Sequence, residues 1–148
     1  MHIEETQVID AAPADVLNVF RDYRVAHPAI LPKPYFGDLV IEEGGYGAGT
    51  LVRFPVRAFG VETLYHTRIT EPEPGRVLVE TDLNTHTETR FIVDPAPNGA
   101  ARVTLSTEFM PSAGLKGLVE RLLTPSFLRK LYRLELQNVA DYLQRQAS

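Results

Sequence analysis

Between residues 50 and 109 the side chains of this chain alternate between two characters, and few folds satisfy such a pattern. One parity in each extended run carries Thr50, Val52, Phe54 and Val56, then Val61, Thr63, Tyr65, Thr67 and Ile69. It continues through Val77, Val79, Thr81 and Leu83, then Thr85, Thr87, Thr89, Phe91 and Val93, then Val103, Leu105, Thr107 and Phe109. None of these ionises near neutral pH. The opposite parity holds Arg53, Arg57, Glu62, His66, Arg68, Glu80, Asp82, His86, Glu88, Arg90, Arg102 and Glu108. Successive strand residues point to opposite faces, so the pattern predicts a sheet with one wet face and one dry, threonine-dotted face. Such a wall suits a small, mostly apolar molecule better than it suits acid–base chemistry.

Turn chemistry separates the runs: Glu43 to Gly49, Phe59-Gly60, Glu71 to Gly75, Asn84 and its neighbours, and Asp94 to Gly99. Connections of hairpin length make the sheet antiparallel. Six strands are expected from about Tyr35 onward, after a first strand at residues 2–9. If Ile3 and Ile9 face inward in that strand, so do Glu5 and Gln7. A short helix is expected from about Pro13 to Tyr23, with Val16, Val19, Phe20 and Tyr23 on one face, and a second helical turn near Ile30. Pro55 suggests that its strand lies near a sheet edge. In the last third, Leu115, Leu118, Val119 and Leu122 form an apolar stripe, and Pro125 is expected to break or kink the helix. Thr124 and Pro125 suit the start of a fresh helix, in which Leu128, Leu131, Tyr132, Leu136, Val139, Tyr142 and Leu143 share a face. That helix is long enough to lie across a curved sheet.

The length, 148 residues, suits one domain over residues 1–148. Lys plus Arg is 15 and Asp plus Glu is 19, a net charge of −4 that argues against nucleic acid as a partner. The absence of cysteine excludes disulfides and thiolate metal sites. No apolar run approaches the roughly 20 residues that span a bilayer, so stable membrane insertion is not expected. The start, Met1-His-Ile-Glu-Glu, lacks the features of a signal peptide, and a cytoplasmic protein is expected.

Several local sequences resemble the START-like (SRPBCC, Bet v 1-like) superfamily, in its bacterial polyketide cyclase/dehydrase and lipid-transport branch. They are Val8-Ile-Asp-Ala-Ala-Pro-Ala-Asp-Val16, Ala26-His-Pro-Ala-Ile-Leu-Pro32, Gly45-Tyr-Gly-Ala-Gly-Thr50 and Thr70-Glu-Pro-Glu-Pro-Gly-Arg-Val-Leu78, followed by the closing helix. Their order carries the resemblance over nearly the whole chain. It implies an α+β helix-grip fold: a seven-stranded antiparallel sheet curved around a long C-terminal helix, with two short helices after strand 1. It also implies a cavity for a hydrophobic ligand such as a lipid, sterol, polyketide or quinone.

The candidate wall is Phe54, Val56, Thr63, Tyr65, Thr67, Val79, Thr87, Phe91, Leu105 and Thr107, faced by Leu128, Leu131, Tyr132, Glu135 and Val139. Glu135 falls inside the apolar stripe of the last helix, where burial raises a carboxyl pKa and makes it a proton donor. It equally suits a position at the cavity mouth, or a pairing with a backbone donor, Tyr65 or an arginine. Tyr65 suits either a ligand partner or a core tyrosine bonded to backbone. The inward threonines suggest a cavity, since buried hydroxyls need partners. His66 and His86 share the outward parity about 10 Å apart, so neither a metal site nor a cofactor is expected. His27 is expected at the surface. The glycines at 44–49 join two strands without a following helix, which is a hairpin rather than a phosphate loop. The leading expectation is a non-catalytic carrier of a small hydrophobic molecule. The alternative is a cyclase or dehydratase with Glu135 and Tyr65 as proton donors. A third is a protein-binding module, ranked last because the outer face offers no apolar patch in sequence.

Overall fold

The computed structural model describes residues 1–148. Its strands are β1 (His2–Ile9), β2 (Val40–Glu43), β3 (Leu51–Ala58), β4 (Val61–Glu73), β5 (Val77–Asp82), β6 (Glu88–Pro95) and β7 (Ala101–Glu108). Its helices are α1 (Pro13–Arg21), α2 (Ala26–Ile30) and α3 (Gly114–Ala147). The strands form one seven-stranded sheet in the order β1-β7-β6-β5-β4-β3-β2, antiparallel at every pairing. This is a meander from β2 to β7, with β1 returning beside β7. The arrangement is the helix-grip architecture, and it follows from hairpin turns that leave no room for parallel crossovers.

The turn glycines take the backbone conformations that side chains resist. Gly45 (φ 136°) lies in the β2–β3 connection, where its N–H donates to Thr50 Oγ1 and its carbonyl accepts from Tyr23 N–H at 3.0 Å. The glycine hairpin is thereby docked onto the end of α1. Pro55 sits on β3 beyond the stretch that pairs with β2, where no ladder donor is required of it. Glu5, half-buried on the inner face of β1, is met by Arg133 of α3 at 2.9 Å.

Two expectations about the helices are corrected. The first helix stops at Arg21 and leaves Tyr23 outside it, yet Tyr23 is fully packed. The last third is one helix of 34 residues that runs through Pro125. Proline removes one donor from the ladder, and a helix already held on both sides of the gap continues across it.

Strand β5 departs from the expected parity. Residues directly opposite in an antiparallel pair share a face, and Leu78, Glu80 and Asp82 lie opposite Phe91, Thr89 and Thr67. The inner face of β5 therefore carries two carboxylates, while Val77, Val79 and Thr81 stand on the other side. Val77 and Val79 are buried too, so apolar character does not discriminate the faces of this strand. Buried acids are tolerated where partners meet them. Asp82 accepts from His66 N–H (2.9 Å), Thr85 N–H (2.9 Å) and the Thr85 hydroxyl (2.8 Å), and so closes the β5–β6 turn. Replacing Asp82 with Ala is expected to cost about 2–3 kcal/mol, because two backbone donors lose a charged acceptor. Urea denaturation measures this, and a loss under roughly 0.5 kcal/mol would mean that the turn holds itself.

Candidate ligand cavity

One end of the space between sheet and α3 is filled. There α1 packs Val16, Val19 and Phe20 against β6, β7 and α3, in a core that includes Leu105, Val103, Leu136 and Val139. Leu105 and Val139, expected on the cavity wall, are wholly enclosed in this packed end and do not reach the cavity. Val79 is absent from the wall as well, because it stands on the far face of β5.

The other end is open space of about 790 Å³. β3 lines it with Phe54 and Val56, and β4 with Thr63, Tyr65 and Thr67. Thr87 just before β6, Phe91 of β6 and Thr107 of β7 continue the wall, and α3 closes it with Leu128, Leu131, Tyr132 and Glu135. Sequence reasoning missed other contributors. Leu31, Phe36 and Leu39, from the proline-rich stretch after α2, have no periodicity to reveal them. Phe59 comes from the β3–β4 turn, and Phe127 from α3. Tyr65 stacks on Phe54 with ring centroids 5.7 Å apart, and burial, then the nearby Asp82, raises its phenol pKa. Three of the wall threonines find their partners within the protein, Thr87 by accepting from the Thr85 hydroxyl at 2.9 Å. Thr89 and Thr107 bond each other at 2.9 Å, and Thr107 also meets the Tyr132 hydroxyl.

The deep wall of the cavity is polar and acidic. His27 is 2 % exposed rather than on the surface. Its Nδ1–H donates to the Phe20 carbonyl at 2.8 Å, and its ring stacks on Tyr23 with centroids 4.4 Å apart. Its Nε2 faces Glu80 Oε2 at 3.7 Å, and the same oxygen accepts the Tyr23 hydroxyl at 2.6 Å. Glu80 is thus partnered. Glu135 is not: it is 3 % exposed, and its Oε1 has no hydrogen-bond partner. Of the alternatives left open by its sequence position, the cavity mouth and the pairing with a backbone donor, Tyr65 or an arginine are set aside. Burial, followed by the negative charge of Glu80, pushes the Glu135 pKa well above the usual carboxyl range. The protonated form of this carboxyl is therefore favoured, and nothing in the protein is placed to receive its O–H. No group of three His, Cys, Asp or Glu side chains is placed to hold a metal ion.

The family described as polyketide cyclase / dehydrase and lipid transport matches residues 1–144. The chain belongs to that family. Solved structures with the same fold include the KanY protein (ms6282), 26 % identical with a TM-score of 0.85 over 97 % of both chains. The Zhui aromatase/cyclase from Streptomyces sp. R1128 is 20 % identical, with a TM-score of 0.81 over 100 % of this chain and 96 % of that one. A START superfamily protein from Mycobacterium smegmatis is 15 % identical, with a TM-score of 0.65 over 98 % and 95 %. Among curated proteins none matches this sequence.

Proposed function

We propose that this protein binds and carries a small, largely hydrophobic molecule, such as a lipid, polyketide or quinone, in the cavity between the sheet and α3. The observation that carries the reading is the open space of about 790 Å³. Protein cores pack like organic crystals and hold few voids larger than a water molecule, whereas ligand pockets run to several hundred Å³. A domain that served only as a docking module would have no use for such a space. The apolar wall supplies affinity, and the O–H of Glu135 supplies one directional contact, best met by a carbonyl or hydroxyl oxygen of the ligand.

Native mass spectrometry of the freshly purified protein tests the reading, with extraction and identification of what denaturation releases. An apolar adduct at one per chain is the expected result. A clean apo mass, with no uptake of lipids, quinones or aromatic polyketides on titration, would sink it.

The unpartnered carboxyl supports a second reading, a cyclase or dehydratase in which Glu135 delivers a proton to the substrate, with Tyr65 as a further donor. Glu135→Gln separates the two. Under the carrier reading the variant binds ligand with a modest loss, about tenfold at most. Under the enzymatic reading turnover is abolished while binding survives, and an unchanged rate removes this reading.

A further inference from the structure

Helix α3 bears two apolar stripes, and only one of them is covered. At about 100° per residue, Leu131, Glu135 and Val139 share the buried side of its C-terminal half. In the N-terminal half Gly117 occupies that side. It is buried where the chain crosses at Ser112, whose carbonyl oxygen would lie 1.5 Å from a Cβ at this position. Ser112 also donates through its N–H and its hydroxyl to Glu120, at 2.8 and 3.0 Å. These contacts set the rotation of the helix and turn Leu118 and Leu122, about 100° and about 140° round from Gly117, away from the buried side. They are 51 % and 69 % exposed, and Leu115 beside them 77 %. Phe59 at the β3–β4 turn is 61 % exposed and packs against Phe127 of α3, with centroids 5.1 Å apart and the rings tilted by 53°, which holds that turn against the helix. An apolar patch therefore lies on α3 and the β3–β4 turn, apart from the charged outer face of the sheet, and it adjoins the open end of the cavity.

The charge around the stripe names its occupant. Between residues 114 and 130 the chain carries Lys116, Arg121, Arg129 and Lys130, against Glu120 as the lone acid, in a chain whose net charge is −4. A second copy docked face to face would set these cations against their own kind. A bilayer surface of anionic lipid complements them, and leucines flanked by Lys and Arg are what a helix lying in the headgroup layer presents. We infer that the N-terminal half of α3 and the adjoining β3–β4 turn dock on an anionic membrane surface. Contact is peripheral, since no helix is long and apolar enough to cross a membrane. Leu115, Val119, Phe59 and Val61 line the cavity at this same rim. A hydrophobic ligand thereby passes between bilayer and cavity without crossing bulk water, although the docking itself does not depend on which ligand is carried.

Co-sedimentation with vesicles of phosphatidylcholine containing about 30 % phosphatidylglycerol, against pure phosphatidylcholine, tests this. The full chain is compared with a Leu118→Ser/Leu122→Ser double variant, whose altered residues lie outside the cavity wall. The expected result is binding to the anionic vesicles that falls about tenfold on pure phosphatidylcholine and at least about tenfold in the variant, and that weakens with salt. An unchanged melting temperature and unchanged binding of an apolar dye show that the variant is folded with its cavity intact. Failure to bind either vesicle, or equal binding by the variant, overturns the assignment of the stripe. Equal binding to both vesicles overturns its anionic character. Self-association at micromolar concentration that the variant abolishes gives the stripe to a second copy instead.

Discussion

Glu135→Gln is expected to make this protein more stable at neutral pH, and by a margin that grows with pH. In the unfolded chain the carboxyl titrates near 4.5, and in the fold it titrates well above that because burial and the charge of Glu80 oppose ionisation. Between the two values the native state holds a proton that the unfolded state has released. Stability then falls as pH rises, by about 1.4 kcal/mol per pH unit. Below the unfolded value both states are protonated and the penalty vanishes. Above the folded value both are ionised and the fall levels off. Glutamine has nearly the same shape, keeps a donor in place and cannot ionise, so the variant loses this slope. Glu80, His27, Tyr23 and Tyr132 surround the site in both proteins. Denaturation curves from pH 4 to pH 8 measure the gap. Parallel curves, or a variant that loses ground as pH rises, would show that Glu135 is paired or hydrated in solution. Bound ligand that accepts the proton stabilises the wild type specifically, so the comparison is made on stripped protein.

Phe20→Ala carries the largest expected loss of stability. Phe20 is 0 % exposed, on the face of α1 that fills the closed end of the fold. Its ring lies 4.7 Å from that of Phe91 and 6.1 Å from that of His27. Truncation leaves a void that neither the helix nor the sheet can collapse into, and the cost is about 3–5 kcal/mol. That is a large share of the 5–15 kcal/mol typical of a domain. Phe54→Ala is the control. Phe54 already faces the open cavity, so its removal enlarges an existing space and forfeits mainly the transfer of its own ring, roughly 2 kcal/mol. Urea midpoints at constant m-value read both. If the Phe20 variant lost no more than the Phe54 variant, the division into a packed end and an open end would be wrong.

What was legible beforehand follows from periodicity. Strands β3, β4, β6 and β7 alternate with a period of two, so their inner residues, Phe54, Tyr65, Thr89 and Thr107 among them, were readable without coordinates. The apolar stripe that contains Leu128, Leu131 and Glu135 was readable for the same reason with a period of 3.6. β5 was not. Its valines are buried on the outer side, and its inward acids are stabilised by Tyr23 and His27, far away in the sequence, and by amides of the following turn that only the fold aims at Asp82. His27 was misplaced for the same reason, since its burial depends on Phe20, Tyr23 and Glu80 converging on it.

The sequence by itself determined the antiparallel sheet, the closing helix and the apolar, threonine-dotted wall that β3 and β4 contribute, because alternation and turn chemistry are local properties of the chain. Tertiary structure alone decided three further things: which end of the interior α1 fills, that Glu135 is left without a partner, and that the first stripe of α3 faces solvent. Each depends on how separate elements are positioned against one another, through docking contacts such as those of Ser112 with Glu120 and of α1 with β6. No period in the sequence records those positions.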